Sequence, residues 1–212
     1  MSKIPENYLP PRDMWPEYLV PEEFADTPME LNLTDFLVDR HVREGSGDNP
    51  AIKFMDKTIT YAQLQQQVNK FGNSLKEAGV EPQDRVGIRL VNSPQAVVTI
   101  FAIEKIGAIP VPTSPLWSGE EVSFVANDAE MKFFVVNAPL MAGVEAAKPG
   151  FEHGTKVIVI GGNADEVKAA GNMVYEEMLE AGSAELSPTM LKADDIGIML
   201  YTSGTTGMPK GC

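Results

Sequence analysis

The sequence predicts an α/β protein: a largely parallel sheet flanked by helices. Strand-like runs at 85–91, 132–136 and 156–160 are mostly apolar instead of alternating, the pattern of strands buried on both faces. Helical patterns of about ten residues or more separate them, long enough for parallel crossovers. With 212 residues and 43 % hydrophobic composition, the chain can bury the core of one large or two small domains, so disorder is excluded.

Residues 1–30 carry Pro5, Pro10, Pro11, Pro16, Pro21 and Pro28, which forbid a long helix and predict an extended arm. Tyr8, Leu9, Trp15, Tyr18, Leu19 and Phe24 stand among these prolines as anchors that pin the arm to a folded body. Leu33, Phe36, Leu37 and His41 then recur at helical spacing, with Gly45 as the stop. Runs at 51–55 and 58–60 flank Asp56 and Lys57 as a short hairpin. Thr60 caps the next helix with Gln63 as its capping-box partner; Leu64, Val68, Phe71 and Leu75 share one face, and Gly79 ends it.

After the strand at 85–91, Pro94 opens a helix through Val97, Ile100, Phe101 and Ile103 to Gly107, and 108–111 is a second short strand. Ser118 and Glu121 repeat the capping box ahead of Val122 and Val125. Strands at 132–136 and 156–160 bracket a helix over 139–148, and 172–181 is one more helix. Asp194 and Asp195 precede a last buried strand at 196–200.

Seventeen basic against 30 acidic side chains give a net charge of −13, so nothing draws nucleic acid or an anionic membrane from a distance. An anionic ligand must be held by local groups. One cysteine excludes an internal disulfide framework, and two distant histidines leave no metal-ligand cluster. No apolar run approaches the about 20 residues that span a bilayer, and 1–11 lacks a signal peptide's apolar core. A soluble, cytoplasmic protein is expected; nothing in the sequence predicts its oligomeric state.

The chemistry collects in 201–212, Y-T-S-G-T-T-G-M-P-K-G-C. Thr202, Ser203, Thr205 and Thr206 supply hydroxyl donors, Gly204 and Gly207 let backbone N–H groups approach an anion, and Lys210 adds the one charge. An apolar run feeding such a loop is the setting of a phosphate cradle. It is not a Walker loop, G-x-x-x-x-G-K-[ST], because Gly204 and Gly207 are three apart and Lys210 follows Pro209. It is not the nucleophile elbow G-x-S-x-G either, since Gly204 follows Ser203 directly. The dinucleotide fingerprint G-x-G-x-x-G does not occur.

Residues 201–211 closely resemble the phosphate-binding signature of the adenylate-forming superfamily, which includes acyl- and aryl-CoA synthetases, luciferases and peptide-synthetase adenylation domains. Three further groups resemble that family's landmarks in the same order: Ile59, Thr60, Tyr61 and Leu64; Gly79 with Asp84, Arg85 and Val86; and Lys105, Ile106, Gly107 and Ala108 with Pro110 and Pro112. The likeness thus covers most of 31–211. Asn7, Tyr8, Leu9, Pro10 and Pro11 with Trp15 and Pro16 are similar to the start of benzoate- and aminobenzoate-type CoA ligases.

The resemblance implies that a small carboxylic acid attacks Mg-ATP to form an acyl-adenylate, and that a thiol, usually of coenzyme A, then displaces AMP. It implies phosphate binding by Thr202, Ser203, Gly204, Thr205, Thr206, Gly207 and Lys210, with magnesium (Mg2+) at Thr205. Lys210 takes a catalytic part, stabilising charge on the departing pyrophosphate. Family members are much longer; their downstream sequence supplies most of the acyl pocket, the adenine and ribose contacts and a mobile domain with a catalytic lysine. Residues 31–212 are therefore expected to be the front part of the adenylating domain, inactive alone. The alternatives are an adenylation domain loading a carrier-protein thiol and a shortened, non-catalytic phosphate-binding protein. Cys212 departs from the branched aliphatic residue common at its position.

Other conspicuous residues take structural readings. His41 is a packed side chain and His153 a solvated one; Asp194 with Asp195, and Gly161 with Gly162 and Asn163, are turns. Trp117 is a core aromatic, and the 11 methionines, which fill cores more often than they mark a site, indicate no site of their own.

Overall fold

The computed structural model describes Pro11, Met14 and residues 30–192, 194–202 and 207–211. The arm expected over 1–30 therefore lies almost wholly outside the described residues, as do Ser203, Gly204, Thr205, Thr206 and Cys212.

Strand β1 (Glu30–Leu31) leads into a π-helical turn, Asp35–Asp39, and α1 (Arg40–Arg43). The hairpin of β2 (Pro50–Phe54) and β3 (Lys57–Thr60) precedes α2 (Tyr61–Glu77). Strands and helices then alternate: β4 (Arg85–Arg89), α3 (Pro94–Lys105), β5 (Ile109–Pro112), α4 (Gly119–Asp128), β6 (Phe133–Asn137), α5 (Met141–Ala147) and β7 (Lys156–Ile160). After these come α6 (Ala164–Ala169), β8 (Met173–Val174) and α7 (Tyr175–Ala181), then β9 (Leu191–Lys192), β10 (Tyr201–Thr202) and β11 (Lys210–Gly211).

Five strands make one parallel sheet in the order β5-β4-β6-β7-β8. Parity along the strands explains their apolar runs. Val86, Ile88, Phe133, Val135, Ile158 and Ile160 enter a core with Leu64, Val68, Phe71, Val98 and Ile103 of α2 and α3. Their neighbours Phe134, Val136, Val157 and Val159 join Ile109 and Val111 in a second core, against Val122, Val125 and Val144 of α4 and α5. Each such side chain contributes about 1.5–3 kcal/mol by leaving water. At Gly87 a Cβ would lie 2.0 Å from Phe134 Cδ2, so only glycine lets that ring cross the sheet surface.

The local signals hold. Thr60 Oγ1 accepts from the Gln63 N–H and Gln63 Oε1 accepts from the Thr60 N–H, closing the box on α2. Ser118 and Glu121 do the same for α4. Ser93 caps α3, with Pro94 in its first turn. Gly79 closes α2 at φ 100°. The His41 ring lies 4.1 Å from that of Tyr61, Trp117 packs half-buried against the second core, and His153 is exposed. Gly161 and Gly162 turn at φ 78° and 84°. The Asp195 carboxylate accepts from the Lys192 N–H in a turn.

Two expectations are corrected. The helix read over 172–181 begins at Tyr175, because Met173 and Val174 pair with β7 as β8. Ahead of it, α6 was not foreseen; Asn163 caps it, accepting from Asp165 and Glu166. Residues 196–200 are not a strand: among the described residues only the Met199 N–H bonds their backbone to the sheet, at Pro110 O, 3.1 Å away. Met199 is buried there, whereas Ile198 and Leu200 are exposed. Finally, Leu33, Phe36 and Leu37 are exposed, so their spacing marks a helix but not its docked face. The docked face combines Val38, buried in the first core, with polar ties: Asn32 donates to Glu104 O and Lys105 O, Thr34 donates to Phe101 O, and Asp39 pairs with Lys105.

Candidate functional site

Strands β10 and β11 pair antiparallel, Tyr201 opposite Gly211 and Thr202 opposite Lys210. The signature is therefore a hairpin whose arms bring its first hydroxyl and its lysine to facing positions. Thr202, Gly207 and Lys210 are all exposed, and a Cβ built at Gly207 meets nothing within 4 Å. Thr202 and Lys210 thus place a hydroxyl and an ammonium on the exposed surface of this hairpin. Pro209 is buried beneath it. Ser203, Gly204, Thr205 and Thr206 lie outside the described residues, so the magnesium expected at Thr205 has no described ligand. Among the described residues, no group of three or more His, Cys, Asp or Glu could hold a metal.

The hairpin is tied to the body at its base. The Tyr201 hydroxyl donates to Asp128 Oδ2, 2.6 Å away at the end of α4. Burial, then this hydrogen bond and the Asp128 charge, push the Tyr201 phenol above the usual tyrosine range, so it stays a donor. Beside it opens a largely apolar cavity of about 550 Å³, lined by Leu33, Ile196, Ile198, Met199, Tyr201 and Asp128 among others.

A second organised region lies at the carboxyl ends of the sheet strands, where open α/β sheets bind ligands. Arg89 ends β4, 3 % exposed, and donates to Ser114 O (2.8 Å), Pro115 O (2.9 Å) and Trp117 O (2.9 Å). Burial lowers its pKa. It fixes the loop after β5, leaving Leu116 at the tip 93 % exposed. Sequence reasoning missed Arg89 and Asp128. A charge at the carboxyl end of β4, after the apolar Val86, Gly87 and Ile88, was a signal for Arg89; nothing local marked Asp128.

Residues 38–212 match the AMP-binding enzyme family. The chain belongs to that family. AMP-binding enzymes similar to it include the acetyl-coenzyme A synthetase of Streptomyces avermitilis, 33 % identical over 198 residues, covering 86 % of this chain and 30 % of that protein. The 3-hydroxybenzoate–CoA/4-hydroxybenzoate–CoA ligase of Thauera aromatica is 28 % identical over 180 residues, covering 85 % and 34 %. The crystal structure of the anthranilate CoA ligase AuaEII in complex with anthranoyl-AMP superposes with a TM-score of 0.81 and 26 % identity, covering 88 % of this chain and 35 % of that one. The chain thus spans about a third of the length of the relatives it matches. Its parallel sheet with flanking helices is the architecture of the matching part of these ligases. Among the described residues, no helix is long and apolar enough to cross a membrane.

Proposed function

We propose that the chain is the front part of an ATP-dependent carboxylate–CoA ligase, which forms an acyl-adenylate and then an acyl-CoA thioester. The observation that carries this reading is the pairing of Thr202 with Lys210 in an exposed hairpin of an AMP-binding family chain. Thr202 supplies a hydroxyl there and Lys210 an ammonium, donors of the kind that the charge growing on a departing pyrophosphate requires. Thr202, Ser203, Gly204, Thr205, Thr206, Gly207 and Lys210 hold the ATP phosphates in this proposal, and Thr205 contacts the magnesium. The 212 residues alone do not adenylate: a cradle contributes in proportion to its preorganisation, and adenine, ribose and acid need further walls.

Exchange of labelled pyrophosphate into ATP tests both parts. With acids from acetate to anthranilate, the protein encoded by the complete reading frame is expected to exchange with one structural class, and the 212-residue chain with none. No exchange with any acid by the complete protein overturns the ligase reading. Exchange by the short chain overturns only its inactivity.

A further inference from the structure

We propose that Asp128 is a positioning residue for the hairpin that carries Thr202 and Lys210, acting through the Tyr201 hydroxyl. The inference rests on that hairpin being the phosphate cradle. Its strands are two residues each, joined by the pairs Tyr201–Gly211 and Thr202–Lys210. An isolated two-stranded hairpin is marginal in water, whereas a cradle must hold its donors still. The Tyr201 side chain supplies a clamp. Its ring supports the opposite arm, since a Cβ at Gly211 would meet Tyr201 Cζ at 3.0 Å. Its hydroxyl reaches Asp128 at 2.6 Å, 73 residues away in sequence.

Asp128 is a firm anchor, because Val122, Val125 and Ala126 bury the same helix in the second core. Its placement also runs against local preference: a carboxylate in the last turn of α4 opposes the helix dipole, and that turn holds no basic residue. A residue that breaks a local rule marks a function served elsewhere. Here it is the acceptor that fixes the tyrosine.

Amide hydrogen exchange on the 212-residue chain tests the clamp without any phosphate, so failure here is separable from failure of the ligase reading. Asp128→Ala and Tyr201→Phe should each speed exchange at Thr202 and Lys210 about tenfold or more, the factor a charge-assisted hydrogen bond supplies. The double variant should add nothing further, and β4 and β6 should be unaffected. Asp128→Asn, which keeps an acceptor oxygen, should restore protection to within about threefold. Phenolate absorbance supplies a second signature: the titration lost in Tyr201→Phe should move down in Asp128→Ala. Unchanged exchange in either single variant, additive effects in the double variant, or an Asn variant no better than Ala overturns the proposal.

Discussion

Lys105 Nζ lies 2.6 Å from Asp39 Oδ2, with the two side chains 1 % and 6 % exposed. The same ammonium donates to Asn69 Oδ1 at 2.5 Å, and Gln65 Nε2 donates to Asp39 Oδ1 at 3.0 Å. One buried network therefore joins the π-helical turn, α2 and α3. Lys105→Met strands the Asp39 carboxylate without its counter-charge and is expected to cost about 3–5 kcal/mol in urea unfolding. Adding Asp39→Leu should recover most of that loss, because it removes the stranded charge, and Arg43, which also feels Asp39, keeps its ion pair with Asp35. A single-variant cost below about 1 kcal/mol would show the pair to be dispensable.

Next to it in sequence, Glu104 is 8 % exposed, and burial raises its pKa from 4.5 to about 7. The native state thus keeps this proton up to about pH 7, while the unfolded chain releases it near 4.5. Between those values the folded protein binds more protons, so this residue makes stability fall as pH rises and level off above about 7. Glu104→Gln should leave stability unchanged below pH 4.5 and raise it by about 3 kcal/mol at about pH 8. Chemical denaturation at both pH values checks this, and equal effects at the two would refute the assignment.

These two residues also show what the sequence could reveal. Lys105 was visible as a family landmark, but its purpose depended on Asp39, which no local pattern connects to it. The sheet was legible because both parities of Phe133, Phe134, Val135 and Val136 face cores and leave an unbroken apolar run. The caps at Thr60 and Ser118 were legible because their partners stand three residues away. The spacing of Leu33, Phe36 and Leu37 gave a helix but not its docked face, which Val38, Asn32, Thr34 and Asp39 form. In the hairpin, composition revealed the donors. The bond from Tyr201 to Asp128 is a long-range pairing that spacing does not encode.

Lys210, exposed opposite Thr202, is the signature's one charge. A hydrogen bond to a charged group contributes about 1.5–3 kcal/mol, so if the proposed ligase reading holds, Lys210→Ala should slow adenylation by the complete protein about tenfold to a hundredfold. Pyrophosphate exchange is the measurement. A rate equal to the parent's would remove Lys210 from the phosphate site.

Arg89 meets three backbone carbonyls, and the Glu121 charge acts on it without a hydrogen bond between the two. Its Nε is buried without a partner. Arg89→Met removes an expensive buried charge along with three good bonds, so the two effects oppose each other in global stability. They do not oppose each other in the loop, where Ser114, Pro115 and Trp117 all lose their donor. Chymotrypsin cleavage next to the exposed Leu116 should therefore accelerate about tenfold while the unfolding free energy changes by less than about 2 kcal/mol. Arg89→Lys should not rescue the loop, because a compact ammonium lacks the planar fork that reaches separated carbonyls. Slow cleavage in the lysine variant would mean that charge, not donor geometry, holds residues 113–118.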